Sequence, residues 1–299
     1  MYGHQVSHRT KRLAVVTLLL LITCLIWLAS RRDDGYRWEA SSQRPAAPFL
    51  STQRLSTDDK NAKRGPRIAI VTFITSQKSY IHLSLRNKAH YARAHNYTLI
   101  VDYESHASRG TTWKKFDMIE DVVRAGTHDW VWWLDFDTLI TNTTMAVADV
   151  IEEALGDATA TGMDPGEVDF LVTDDCNNLN DGSFIARSSP RTVATLDAIR
   201  ALHDREKSKG NDLNDQDAMR DFLRTDDPLV KHTLRIPQWK INAFPEEIKC
   251  YDGSGVGWAR GMLLVHFAGA WAHVEGEDPT GELMRKYERE IIWGEVPEG

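Results

Sequence analysis

The sequence predicts an α/β fold, a sheet covered by helices on both faces. Strand-type apolar runs alternate with helix-type stretches along the chain. Several of those runs are apolar at successive positions, as strands buried on both faces are. One of them, Trp130-Val131-Trp132-Trp133-Leu134, ends abruptly in Asp135, Phe136 and Asp137. In open α/β sheets ligands sit at the carboxyl ends of strands, so this run would carry two carboxylates to the rim of a cleft.

Order begins at Arg67, where Ile68–Phe73 is a compact strand. A polar helical stretch from about Tyr80 to His95 follows, then a second strand at Thr98–Tyr103. Residues 113–125 place Trp113, Phe116, Ile119, Val122 and Val123 near one helical face. The Trp-rich strand comes next. Phe170–Thr173, Ser183–Ala186 and Met262–Phe267 read as further strands, and 145–155, 191–205 and 214–224 as helices. No repeat is present, and no Gly-x-Gly-x-x-Gly follows the first strand, so a dinucleotide fold is unsupported.

Residues 13–30 are uncharged and largely apolar over 18 positions, near the minimum for a membrane-spanning helix. Arg9, Lys11 and Arg12 precede them, and Asp33 and Asp34 temper the arginines that follow, which favours a cytoplasmic N-terminus. The expected organisation is a cytoplasmic tail at 1–12, a signal anchor at 13–30, a flexible Arg-, Ser- and Pro-rich stem at 31–65 and a lumenal catalytic domain at 66–299. A cleaved signal peptide is the competing reading. Two Asn-x-Thr sequons, at Asn96 and Asn142, agree with translocation. Cys176 and Cys250 are open to being a disulfide or two buried thiols. The net charge of −7, from 36 basic and 43 acidic residues, argues against nucleic acid as a partner. Most of the 10 Trp are expected to fill the core rather than stack on sugars.

Two carboxylates one residue apart repel unless a cation neutralises them, and oxygen ligands suit Mg²⁺ or Mn²⁺ shared with a diphosphate. Five further blocks accompany Trp132–Thr138: Gly110-Thr111-Thr112-Trp113-Lys114-Lys115, Asn180-Asp181-Gly182-Ser183-Phe184, Asn214-Asp215-Gln216-Asp217-Ala218, Pro237–Phe244 and His266-Phe267-Ala268-Gly269. Their order and spacing resemble glycosyltransferase family 34, over about residues 67–290, and the anchor and stem match that family's type II membrane layout.

The resemblance implies a GT-A fold with a mixed, mostly parallel central sheet, and retaining transfer from a nucleotide sugar to a glycan acceptor. It also implies Mn²⁺ as cofactor and residence in the Golgi membrane, with fungal relatives acting in multi-subunit complexes. GDP-mannose is the favoured donor, UDP-galactose the alternative, and a non-catalytic scaffold subunit the reading from a different class. By the motifs, Asp135, Asp137 and His266 would hold the metal. Lys115, Asn180, Gly182 and Gly269 would meet the donor with the two aspartates, and Asp215 and Gln216 would lie near the reacting carbon. Each has a bland counterpart: Lys115 as a solvated helix charge, Asn180-Asp181-Gly182 as a turn, Asp215 as a charge at a helix start, and His266 as a core histidine. Asp102, Tyr103, Gln238, Lys240 and Asn242 are weaker candidates for donor or acceptor contacts.

Overall fold

The computed structural model describes residues 65–103 and 108–297. The expected tail, anchor and nearly all of the stem lie outside the described residues. Among the described residues no helix is long and apolar enough to cross a membrane.

Six strands form the main sheet: β1 (Ile68–Ile74), β2 (Thr98–Tyr103), β3 (Trp130–Leu134), β5 (Phe170–Asp175), β6 (Asn178–Arg187) and β7 (Thr233–Arg235), in the order β2-β1-β3-β6-β5-β7. β1 runs parallel to β2 and β3, and β5 parallel to β7, while β6 is antiparallel to both of its neighbours. The sheet is therefore mixed and mostly parallel, as expected. β4 (Thr138–Ile140) and β8 (Leu264–His266) pair antiparallel in a small second sheet.

β3 explains its own composition. All five residues are buried, because both faces of the strand are covered. Trp130, Trp132 and Leu134 pack on one face with Ile70, Tyr91 and Ile151. Val131 and Trp133 pack on the other with Phe73, Phe116 and Phe184. Helix α1 (Ile81–Ala94) and α3 (Val147–Ala160) belong to the first layer, and α2 (Lys114–Ala125), α4 (Pro190–Ser208) and α5 (Asp215–Phe222) to the second. The short α6 (Gln238–Ile241) leads toward β8, and α7 (Pro279–Glu288) joins a third cluster with Leu139, Val265 and Phe267.

β5 and β6 run longer than the sequence indicates. β6 spans Asn178–Arg187, so Asn180-Asp181-Gly182 lies within a strand rather than forming a turn. Local turn chemistry yields here to the antiparallel pairing of β6 with β3 and β5. The turn sits earlier, where Asn178 adopts a positive φ of 84°. At β8 the strand is shorter than Met262–Phe267.

Cys176 and Cys250 form a disulfide with a sequence separation of 74 residues. It ties the β5–β6 corner to the segment that precedes β8. A cross-link of that span removes on the order of 4 kcal/mol of loop entropy from the unfolded chain. The Cys176→Ser/Cys250→Ser pair is therefore expected to lose about 2–5 kcal/mol of stability in denaturant titration. An unchanged midpoint would show the bridge to be mechanically irrelevant.

The two sequons differ. Asn96 is exposed at a left-handed turn. Asn142 already donates its amide to Gly261 O at 2.9 Å, which commits the nitrogen that a glycan would need.

Candidate active site

β3 ends at Leu134 and β4 starts at Thr138, so Asp135, Phe136 and Asp137 form the corner between the two sheets. Sheet pairing persists to the corner, where Asp135 N–H donates to Gly182 O at 2.7 Å. Across the small sheet Thr138 pairs with His266, and Phe267 N–H donates to Asp137 O. Residues more than a hundred positions apart in sequence thus converge because both sheets meet at one corner. Ligand atoms of Asp135, Asp137 and His266 all lie within 4.8 Å of one another.

The His266 ring is held from behind. Asn242 Oδ1 stands 2.8 Å from His266 Nδ1, and Asn242 Nδ2 donates to Thr173 Oγ1 and to Asn180 Oδ1, both at 2.9 Å. Asn180 Nδ2 in turn donates to Asp175 Oδ2 at 3.0 Å. A carboxylate only accepts, so the direction of the chain is fixed from Asp175 back to His266, whose Nδ1 must carry the proton. Nε2 then faces Asp137 Oδ1 at 3.3 Å. Two acceptor atoms at that separation need a proton or a cation between them, and a cation also accounts for Asp135 beside them. Mixed carboxylate and imidazole ligation suits a divalent cation.

Gly182 makes the ring position available. A Cβ at Gly182 would overlap His266 Cε1 and stand 2.9 Å and 3.0 Å from Nδ1 and Nε2. The glycine is required for space, since its backbone is extended. Gly269 differs: its φ of +62° is left-handed, and a Cβ there would meet nothing within 4 Å, so it serves the turn after β8.

Lys115 is 3% exposed rather than solvated. Its ammonium contacts Asp181 Oδ1 at 2.8 Å and Asp215 Oδ2 at 2.9 Å, with Asp135 Oδ1 at 3.6 Å. Burial opposes its charge, but these three carboxylates outweigh burial and raise its pKa well above the ordinary lysine range. Asp215 opens α5 beneath the Asn214 cap, which accepts from Asp217 N–H at 2.7 Å. Gln216 Oε1 accepts from Asp181 N–H at 3.2 Å. Lys115, Asp135, Asn180, Gly182, Asp215 and Gln216 therefore belong to one connected constellation.

The two aspartates respond differently to the same corner. Burial, then Asp137, raises the Asp135 carboxyl despite Lys115. Burial also works against Asp137, but a proton on His266 Nε2, standing in for the cation, holds that carboxyl below the usual range. Trp133 Nε1 donates to Asp135 Oδ1 at 2.8 Å, giving one of the aromatic residues of β3 a polar function.

Some candidates stand elsewhere. Lys240 pairs with Glu153 at 3.2 Å and with Asp157 at 3.7 Å on α3. Gln238 serves the backbone, accepting from Asp252 N–H at 2.9 Å and donating to Cys250 O at 3.4 Å. Asp102 pairs with Lys114 at 3.4 Å, and Tyr103 is 52% exposed.

Other site residues were missed by the sequence reading. The polar helix α1 buries Ser84, Asn87 and Lys88 against the corner. Lys88 Nζ donates to Ser84 Oγ at 2.8 Å and to Thr138 O at 2.9 Å, and Ser84 Oγ donates to Phe136 O at 2.6 Å. Asn87 exchanges two hydrogen bonds with the Ile140 backbone. Burial pushes the Lys88 ammonium down to about 7, against the pull of Asp137 and Asp135. A polar helical face reads as solvated by default, and only the position of α1 under the corner shows otherwise. Beside the aspartates a cleft opens, lined by Thr75, Ser76, Lys78, Tyr80 and Thr112.

Comparison with known proteins places this arrangement. A family model described as the galactosyl transferase GMA12/MNN10 family matches residues 65–276. The chain is 26% identical over 230 residues to "Probable alpha-1,2-galactosyltransferase gmh2" of Schizosaccharomyces pombe, covering 68% of this chain and 63% of that protein. It is 28% identical over 198 residues to "Probable alpha-1,6-mannosyltransferase MNN10" of Saccharomyces cerevisiae, covering 58% of this chain and 50% of that protein. The chain thus spans less than two thirds of the length of both. A crystal structure of a glycosyltransferase involved in the glycosylation of the major capsid of PBCV-1 shares the fold, with a TM-score of 0.55 at 14% identity, covering 74% of this chain and 100% of that one.

Proposed function

Because the chain belongs to the galactosyl transferase GMA12/MNN10 family, glycosyltransferase family 34, we propose that it moves a hexose from a nucleotide sugar onto a glycan. The observation that carries the reading is the Asp135–Asp137–His266 corner, with Nε2 of His266 aimed at Asp137 and a cleft of mixed polar and aromatic lining alongside. The site proposed is of GT-A type, with Asp135, Asp137 and His266 holding Mn²⁺.

The leaving group is a nucleoside diphosphate, so charge develops on phosphate oxygens as the sugar–oxygen bond breaks. A bound dication supplies Lewis-acid stabilisation of that charge. The protein residues do the rest. Asn242 orients His266, Gly182 leaves room for its ring, and the α1 side chains fix the corner backbone. Thr75, Ser76 and Lys78 line the place where the nucleoside diphosphate would lie. Asp215 and Gln216 face the donor sugar at the start of α5, and we favour same-face displacement with retention over a covalent intermediate on Asp215. A complete and preorganised clamp disfavours the scaffold reading, which has no use for one.

UDP-galactose gains weight as donor because several relatives, gmh2 among them, are named alpha-1,2-galactosyltransferases; GDP-mannose has MNN10 on its side. The location proposed remains the Golgi membrane, with residues 13–30 as anchor. A panel of nucleotide sugars assayed with Mn²⁺ and with chelator tests the function. The expected result is Mn²⁺-dependent release of UDP or GDP with one anomeric product, retained. Release unaffected by chelation removes the metal clamp, and an inverted product by NMR removes the retaining mechanism.

A further inference from the structure

We infer that Asp181 and Asp215 hold a single proton between them beside the buried Lys115 ammonium, which makes Asp181 a positioning residue for the Asp215–Gln216 start of α5. The inference rests on the proposed function in so far as Asp215 and Gln216 face the donor sugar.

Donor counting leads to it. Lys115 Nζ has three N–H bonds, and three acceptors take them: Asp181 Oδ1 at 2.8 Å, Asp215 Oδ2 at 2.9 Å and Asp181 O at 3.2 Å. Asp135 Oδ1, at 3.6 Å, lies beyond hydrogen-bond reach. Asp181 Oδ2 is fully buried, and among the described residues no donor reaches it. A buried anionic oxygen without a donor is strongly unfavourable. Two buried carboxylates, Asp181 and Asp215, also share one ammonium, leaving an excess of negative charge where water cannot screen it.

A proton on Asp181 Oδ2 resolves both difficulties. The orphaned oxygen becomes an O–H donor, and Asp215 is the buried carboxylate that shares the Lys115 ammonium with Asp181. The two groups lean in opposite directions, as members of a proton-sharing pair do. Burial pushes Asp181 well above the usual carboxyl range, and Asp215 and Asp135 add to this against the pull of Lys115. Burial works on Asp215 too, but Lys115, Thr112 and Asp181 overcome it and hold Asp215 below its usual value. The charged groups that face Asp181 are thus Lys115 from α2, Asp135 from the end of β3 and Asp215 from α5. With its backbone N–H on Gln216 Oε1, Asp181 grips both of the first two residues of α5.

The sign of the pH dependence follows. The shared proton is held below the raised Asp181 value and leaves as pH rises through it. Activity should therefore fall on the alkaline side, as Asp215 loses its partner.

Infrared difference spectra and pH–rate profiles of the full-length protein test this with Asp181→Asn and Asp181→Ala. Wild type should show a protonated-carboxyl C=O band at neutral pH that shifts in D₂O and is missing in Asp181→Asn. The asparagine keeps an N–H for Asp215, so its kcat profile should lack the alkaline limb. Asp181→Ala should lower kcat about hundredfold, the cost of a misplaced site, with rescue by asparagine. A neutral-pH spectrum without the band, or an Asp181→Asn profile with the wild-type limb, overturns the inference. If Asp181→Ala fails to fold, the asparagine spectra still decide. If no nucleotide sugar is turned over, the proposed function fails while the band continues to report the proton.

Discussion

Gly182→Ala is expected to remove divalent-cation binding while leaving the sheet intact. The added methyl has no open space to enter, since it would overlap Cε1 of His266 and press on both ring nitrogens. The ring cannot retreat easily, because it is 2% exposed and its Nδ1 is tied to Asn242. Alanine itself suits an extended strand, so the backbone carries no penalty of its own. Displaced support of a ligand typically lowers metal affinity about 10–100-fold, and a displaced ligand should exceed the top of that range. Mn²⁺ affinity by calorimetry, read beside the melting temperature, checks the result. A double variant sharpens it: once His266→Ala has removed the ring, adding Gly182→Ala should cost nothing further. Equal losses from Gly182→Ala in both backgrounds would mean that the glycine acts on something other than His266.

Asp137→Asn should be the most damaging conservative change in the corner. It removes one charge from the metal set and places an amide against His266 Nε2, where the carboxylate oxygen now stands at 3.3 Å. Losing several kcal/mol of charge stabilisation corresponds to about a thousandfold or more in rate. Transfer should fall by at least that factor with either donor, and added Mn²⁺ should restore only a small part. The surroundings of Asp137 are already braced by Lys88 and Ser84 through Thr138 and Phe136, so a folded protein is expected. Near-normal transfer by the folded variant would show that Asp137 is no ligand.

The legible and illegible parts of this site divide by a physical rule. Asp135 and Asp137 were visible because a strand buried on both faces has an unmistakable composition, and polar residues at its end stand out. His266 was visible by resemblance, for a histidine closing a short apolar run has no signal of its own. Lys88, Ser84 and Asn87 were invisible, since a helix with a polar face looks solvated until something is found to cover it. Lys115 had the same ambiguity, and its burial among carboxylates came from the packing of α2 against β6 and α5. Asn180-Asp181-Gly182 misled in the other direction, because its turn propensity is local whereas the pairing of β6 with β3 and β5 is not.

The sequence by itself determined the alternation of elements, the two-sided burial of the Trp-rich strand and the carboxylates at its end, because these depend on residues within a few positions of one another. Only the tertiary structure decided which distant side chains complete the site: His266 opposite Thr138, Gly182 beneath the imidazole, Asn242 behind it, and Asp181 against Asp215 over Lys115. Those contacts depend on strand register and on a shared shortage of space and of hydrogen-bond donors, quantities that exist only once the chain has closed on itself.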